Sequence, residues 1–217
     1  MTAMMAELLE EPTLPEIVSA LQKRLDHEAQ LRVRFYDEIT PSMKAEFING
    51  KVGIHSPSLA RHTEARLRTT NLLLNYVTVH QLGLVHDEKT LCVFPRNDYE
   101  PDVVFFGPAK TVKIKPDTLK FPPPDFICEV LSSSTEKVDR GIKFKDYQAH
   151  GVREYWIVDP EAETLEQFVL KRDKTYELRL KSGSGNVTSH VIRGLCIPIR
   201  AIFDRQLNLK VLRELLQ

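Results

Sequence analysis

Residues 125–160 read DFICEVLSSSTEKVDRGIKFKDYQAHGVREYWIVDP, and the expected fold follows from this stretch. Asp125 to Leu131 forms a short apolar run broken by a single acid, Glu129, and predicts a strand. Ser132-Ser133-Ser134-Thr135 supplies hydroxyl residues suited to a helix entrance. The helix is expected to run to about His150, with Gly151 closing it. Arg153 to Val158 then reads as a buried strand, stopped by Asp159-Pro160. A strand–helix–strand unit therefore sits at the centre of the chain.

Working outward, Lys44 to His55 predicts a hairpin. Two short apolar-containing runs flank Asn49-Gly50, and both central residues of a type I′ turn need positive φ. Ser56-Pro57-Ser58 is expected to cap a long helix carrying Leu59, Leu67, Leu74 and Val77 on one face and ending at Gly83. Leu91 to Phe94 and Val103 to Phe106 read as strands, followed by a lysine-bearing loop, 110–120. At the N-terminus, Thr13-Leu14-Pro15-Glu16 opens a helix to about His27, because Ile17, Leu21 and Leu25 recur every four residues. Leu31 to Ile39 alternates and is expected to be a strand. Downstream, 165–170 and 176–180 form a hairpin, followed by a last strand and a terminal helix from Ala201 to Leu216. The sum is an α+β fold: a mixed sheet flanked by helices, with residues 1–40 as an N-terminal helical extension packing on a core of 41–217.

Composition narrows the function. The 217 residues carry 30 Lys+Arg against 30 Asp+Glu, which excludes a protein that coats polyanions but leaves room for a local basic groove. Three scattered cysteines exclude a disulfide scaffold and a zinc ribbon. The apolar runs are too short for a membrane span. An acidic start without early Lys or Arg predicts no secretory signal, hence a cytoplasmic protein.

Glu129 is the most informative residue. Side chains alternate along a strand, so 125, 127, 129 and 131 share a face and Glu129 lies mid-strand among apolar neighbours. An uncompensated carboxylate there costs several kcal/mol. A metal ion, a cationic side chain or a proton must neutralise it. Lys143 stands four residues from both Asp139 and Tyr147 on the following helix. It either pairs with Asp139 on a solvated face or reaches the Glu129 pocket. Asp102 opens the 103–106 strand after Pro101; it either caps a turn or joins Glu129. Asp125 is either a turn former or a rim ligand, and His62 is readable as a satisfied helix histidine. Two carboxylates, a dication and a lysine are the equipment of phosphodiester hydrolysis.

Together these pieces resemble the Uma-type "putative restriction endonuclease" family, abundant in cyanobacteria and placed in the PD-(D/E)XK nuclease superfamily. The resemblance rests on Tyr99-Glu100-Pro101-Asp102, on Pro124-Asp125-Phe-Ile-Cys-Glu129, on Asp139-Arg140-Gly-Ile-Lys143 with Tyr147, and on Gly151 to Pro160, with Glu46, Ser56-Pro57 and His62 in the expected order. It covers roughly residues 44–203. It implies a restriction-endonuclease-like core and Mg²⁺- (or Mn²⁺-) dependent DNA cleavage. Asp102 would be the motif aspartate, Glu129 the second metal ligand and Glu46 an early acidic ligand. The lysine expected two positions after Glu129 is Leu131 here, so its role passes to Lys143. The alternatives are a catalytically inactive nuclease-fold module that binds DNA or protein, and a structural protein whose acids form an ion-pair network. A homodimer fits two-strand cleavage.

Overall fold

The computed structural model describes residues 3–40 and 42–216. The boundary expected between 40 and 41 falls at Pro41, which lies outside these residues.

Beside a two-stranded pair formed by 186–188 and 196–198, two main sheets share an apolar cluster. The larger has six strands in the order β11-β10-β9-β8-β6-β3, with β3 at Leu84–Asp87, β6 at Val103–Phe106, β8 at Phe126–Val130, β9 at Glu154–Asp159, β10 at Thr164–Leu170 and β11 at Tyr176–Ser182. Only β8 and β9 run parallel in it, because the helical segment 136–149 carries the chain back between them. The smaller sheet is ordered β2-β1-β5-β4-β7, built from Ala45–Ile48 (β1), Lys51–Ile54 (β2), Leu91–Val93 (β4), Asp98–Tyr99 (β5) and Lys120–Phe121 (β7). The hairpin β1–β2 turns at Asn49 and Gly50, with φ of 51° and 80°, and pairs Ile48 with Lys51. These are the two positive-φ residues a type I′ turn requires.

Strand alternation in β8 divides the core. Phe126, Cys128 and Val130 face one apolar cluster with Trp156, the helix Ala60–Val79 (α3) and the C-terminal residues. Ile127 and Leu131 face the other, with Tyr99, Tyr147 and Tyr155. Glu129 shares that second side, under the smaller sheet. The C-terminal helix Arg205–Leu215 (α7) packs on α3 and is capped by the Asp204 carboxylate, which accepts from the Leu207 N–H at 2.8 Å. No described helix is long and apolar enough to cross a membrane.

Three expectations are corrected. Residues 31–39 are not a strand: one helix, Leu14–Glu38 (α2), runs through them. Its docked residues Glu28, Arg32 and Phe35 are three or four apart, the spacing of one helical face. The long central helix starts at Ala60 with Leu59 at its cap, so Ser56-Pro57-Ser58 forms a loop instead. The strand β3, 84–87, lies where no element was expected, and it pairs antiparallel with β6.

Arg32 is the most buried cationic anchor of α2, beside the Glu28–Arg96 pair and the Tyr36 hydroxyl on Asp98. Arg32 pairs with the fully buried Asp98 and donates to the carbonyls of Phe94, Pro95 and Asn97. Phe35 closes the contact against Phe47. Before Glu28 the helix is almost wholly exposed; Val18, Leu21 and Leu25 face solvent. Removing one partner of a buried pair strands the other charge. Arg32→Ala is therefore expected to lower the unfolding free energy by about 3–5 kcal/mol in urea titrations. A loss below about 1 kcal/mol, typical of a surface pair, contradicts this reading.

Candidate active site

Five buried carboxyl groups from four segments of the chain meet in one cleft: Glu46, Glu100, Asp102, Glu129 and Asp139. The cleft has a volume of about 580 Å³, and its lining also includes Ser56, Leu59, Arg61, Ser132 and Pro160.

Sheet register brings Asp102 and Glu129 together. Val103 pairs with Cys128, so the residue before β6 lies beside Glu129. The Asp102 N–H donates to Glu129 Oε2 at 3.2 Å, and the Val130 N–H donates to Asp102 Oδ2 at 2.9 Å. Each carboxylate is thus held by backbone next to the other. Lys44 Nζ lies 3.0 Å from Asp102 Oδ1, and His62 Nε2 lies 3.3 Å from Oδ2.

Glu46 enters from the smaller sheet. Its Oε1 accepts from the Glu100 N–H at 3.0 Å, and its Oε2 lies 3.3 Å from His55 Nε2. Glu100 in turn accepts from the Ala45 N–H at 2.9 Å. Lys143 joins the two sheets. Its Nζ is 2.9 Å from Glu46 Oε1, 3.0 Å from Glu129 Oε1 and 3.1 Å from Asp139 Oδ1. Tyr147 donates its hydroxyl to Glu129 Oε1 at 2.8 Å. Residues 139–143 form a π-helical turn, a widening of the helix that recurs at functional sites. Here it points both Asp139 and Lys143 inward, where both are buried.

Burial and crowding distort the acidities. Burial, reinforced by Asp139, Asp102 and Glu46, pushes Glu129 up to about 8 even beside Lys143. Burial also raises Glu100, to about 7. Asp102 goes the other way. Burial alone would raise it, but His62 and Lys44 outweigh that and hold it below the usual carboxylate range. The Lys143 ammonium stays charged: its three acids overcome burial and lift its pKa.

The donor set is all oxygen and carries more acid than the two ammonium groups offset, which suits a hard dication. The spacing is that of an ammonium rather than a metal ion: Lys143 fills the gap between the Glu46 and Glu129 oxygens. Among the described residues, no three His, Cys, Asp or Glu side chains are already set to hold a metal ion.

The structure brings Glu46, Asp102, Glu129 and Lys143 together. Asp125 lies apart from them. It stands at the other end of β8, accepting from the Gly107 N–H at 2.8 Å and pairing with Lys110 and Arg153. Lys44, His55 and Glu100 are site residues that the sequence reading missed, and His62, read as a plain helix histidine, also lies there. Two had a usable signal. Lys44 and Glu100 each stand two positions before an expected site acid, so they share its face in extended chain.

Residues 30–200 match the family model described as "Putative restriction endonuclease", Uma2. The chain belongs to this family. Its fold is similar to that of a crystal structure described as a putative nuclease belonging to DUF820, from Anabaena variabilis. The likeness has a TM-score of 0.67 at 17% identity and covers 78% of this chain and 94% of that one. No curated protein matches the chain significantly. The family supports a nuclease; the low identity of the structural neighbour supports the fold alone.

The raised pKa of Glu100 has a consequence of definite sign for stability. Its folded value, about 7, exceeds the ordinary 4.5, so the folded state resists ionising it. Its stabilising contribution is present below pH 4.5 and is lost as pH rises towards 7. Glu100→Gln removes that dependence. The melting temperature of the variant is expected to gain on wild type as pH rises from about 5 to about 7 and to level off above that. A gap that stays constant across this range contradicts the assignment.

Proposed function

We propose that this protein hydrolyses phosphodiester bonds in DNA with Mg²⁺ or Mn²⁺. The observation that supports this best is the contact of Lys143 with Glu129 and Glu46 in a cleft shared with Asp102. It supplies from the helix the cation that Leu131 does not supply from the strand.

In this reading Glu46, Asp102 and Glu129 hold the ion. When bound, it neutralises phosphate charge and lowers the pKa of water. The chain's own groups do the rest. His62 and Lys44 keep Asp102 ionised and fixed. Tyr147 fixes the Glu129 carboxylate by its hydroxyl. Lys143 orients the attacking water or offsets the charge that grows on the phosphate, in a site where low exposure strengthens that attraction. The scissile backbone would lie along this cleft, whose lining includes Ser132 and Arg61, two groups able to contact neighbouring phosphates. Residues 41–217 would form the nuclease core, with 1–40 as an extension anchored by Arg32. A homodimer would place two such clefts on the two strands of a duplex.

Supercoiled plasmid with Mg²⁺ or Mn²⁺ tests this directly. Wild type is expected to nick and linearise it. Glu129→Ala and Lys143→Met are expected to lower the rate by roughly 100-fold or more, with melting profiles still cooperative. Undiminished cleavage by Glu129→Ala removes this site from the reaction.

A further inference from the structure

The cleft contains a cation already. Lys143 Nζ sits 2.9 and 3.0 Å from Glu46 Oε1 and Glu129 Oε1. A divalent ion sits closer still to its oxygens, about 2.1 Å for Mg²⁺. An ammonium and a dication cannot share those two oxygens, because like charges at that separation repel strongly.

Asp139 resolves the conflict. It is buried four residues before Lys143 on the same π-helical turn, and its Oδ1 is 3.1 Å from Nζ. Apart from that ion pair, this buried oxygen receives no hydrogen bond. Buried acceptors are rarely left this way. Its spare capacity faces the one buried lysine among the described residues. We propose that a divalent cation displaces the Lys143 ammonium from Glu46 and Glu129, and that Asp139 is the positioning residue that keeps the displaced ammonium in the cleft. This rests on the metal-dependent reading given above. The exchange explains how one lysine can hold the acids together before metal arrives and still stand beside the phosphate afterwards. At each stage the two glutamates face a cation and the ammonium faces a carboxylate; the dication adds two positive charges to the acid-rich cleft and displaces any proton that Glu129 holds.

Calorimetric titration of Mn²⁺ into four full-length proteins tests this: wild type, Asp139→Asn, Lys143→Met and the double variant. Lys143→Met is expected to bind roughly tenfold more tightly, because its competitor is gone. Asp139→Asn is expected to bind about fivefold more weakly, and this loss should shrink to under about twofold when Lys143 is absent, since coupled residues are not additive. Equal losses in both backgrounds would mean that Asp139 acts as a plain ligand or a distant charge, and would overturn its positioning role. Binding by Lys143→Met no tighter than wild type would overturn the exchange while leaving the metal site standing. No binding by any of the four removes the metal reading and the exchange with it. Should Lys143→Met fail to fold, the unsubstituted protein decides. Mg²⁺ is expected to shift the buried ammonium resonance in a ¹⁵N-lysine spectrum; an unmoved resonance alongside measurable binding heat overturns the proposal.

Discussion

One ammonium group carries the organisation of this molecule. Lys143 Nζ contacts acids from the smaller sheet, from the larger sheet and from its own helix. Burying any of these carboxylates alone would cost several kcal/mol, and their mutual repulsion would add to it. The lysine converts a repulsive cluster into a bound one. It cannot neutralise everything: five acids surround two ammonium groups, and Glu129 and Glu100 respond by holding protons near neutral pH. Such partly protonated, crowded acids are a poor investment for stability alone. They are intelligible as a site prepared for additional positive charge.

The fold exists in a form that permits this meeting. The parallel pair β8–β9 requires a crossover, and the crossover is the helix that bears Asp139, Lys143 and Tyr147. The antiparallel register of β6 on β8 sets Asp102 beside Glu129. The smaller sheet lies over the same face and lowers Glu46 into the cleft. Around them, rigid apolar layers fix the geometry: Ile127, Tyr155 and Ile157 are essentially unexposed. Polar groups held by packed strands and one helix are placed more firmly than groups on loops.

Much of this was legible in the chain. Glu129 stood out because a lone acid in the apolar run Phe126–Leu131 demands a partner, and the four-residue spacing of Asp139, Lys143 and Tyr147 offered one. The Asn49-Gly50 turn announced its hairpin by backbone chemistry alone. What was hidden depended on distant contacts. Leu31 to Ile39 alternates over too few residues to separate a strand from a helix; what decides it is Arg32 meeting Asp98, sixty-six positions away. Strand β3 carries His86 and Asp87, so its sequence lacks an apolar run, and pairing with β6 defines it. His62 looked ordinary because its partner, Asp102, is brought near only by tertiary packing. Lys44 and Glu100 carried an i, i+2 hint, but nothing local showed that both strands would turn the same face to one cleft.

The most direct measurement of the central claim is anomalous diffraction from crystals equilibrated with Mn²⁺. The account predicts a peak about 2.1 Å from oxygens of Glu46, Asp102 and Glu129, with Lys143 still in the cleft. Saturating Mn²⁺ that leaves these three carboxylates unmoved and unliganded, or that binds elsewhere, would contradict it.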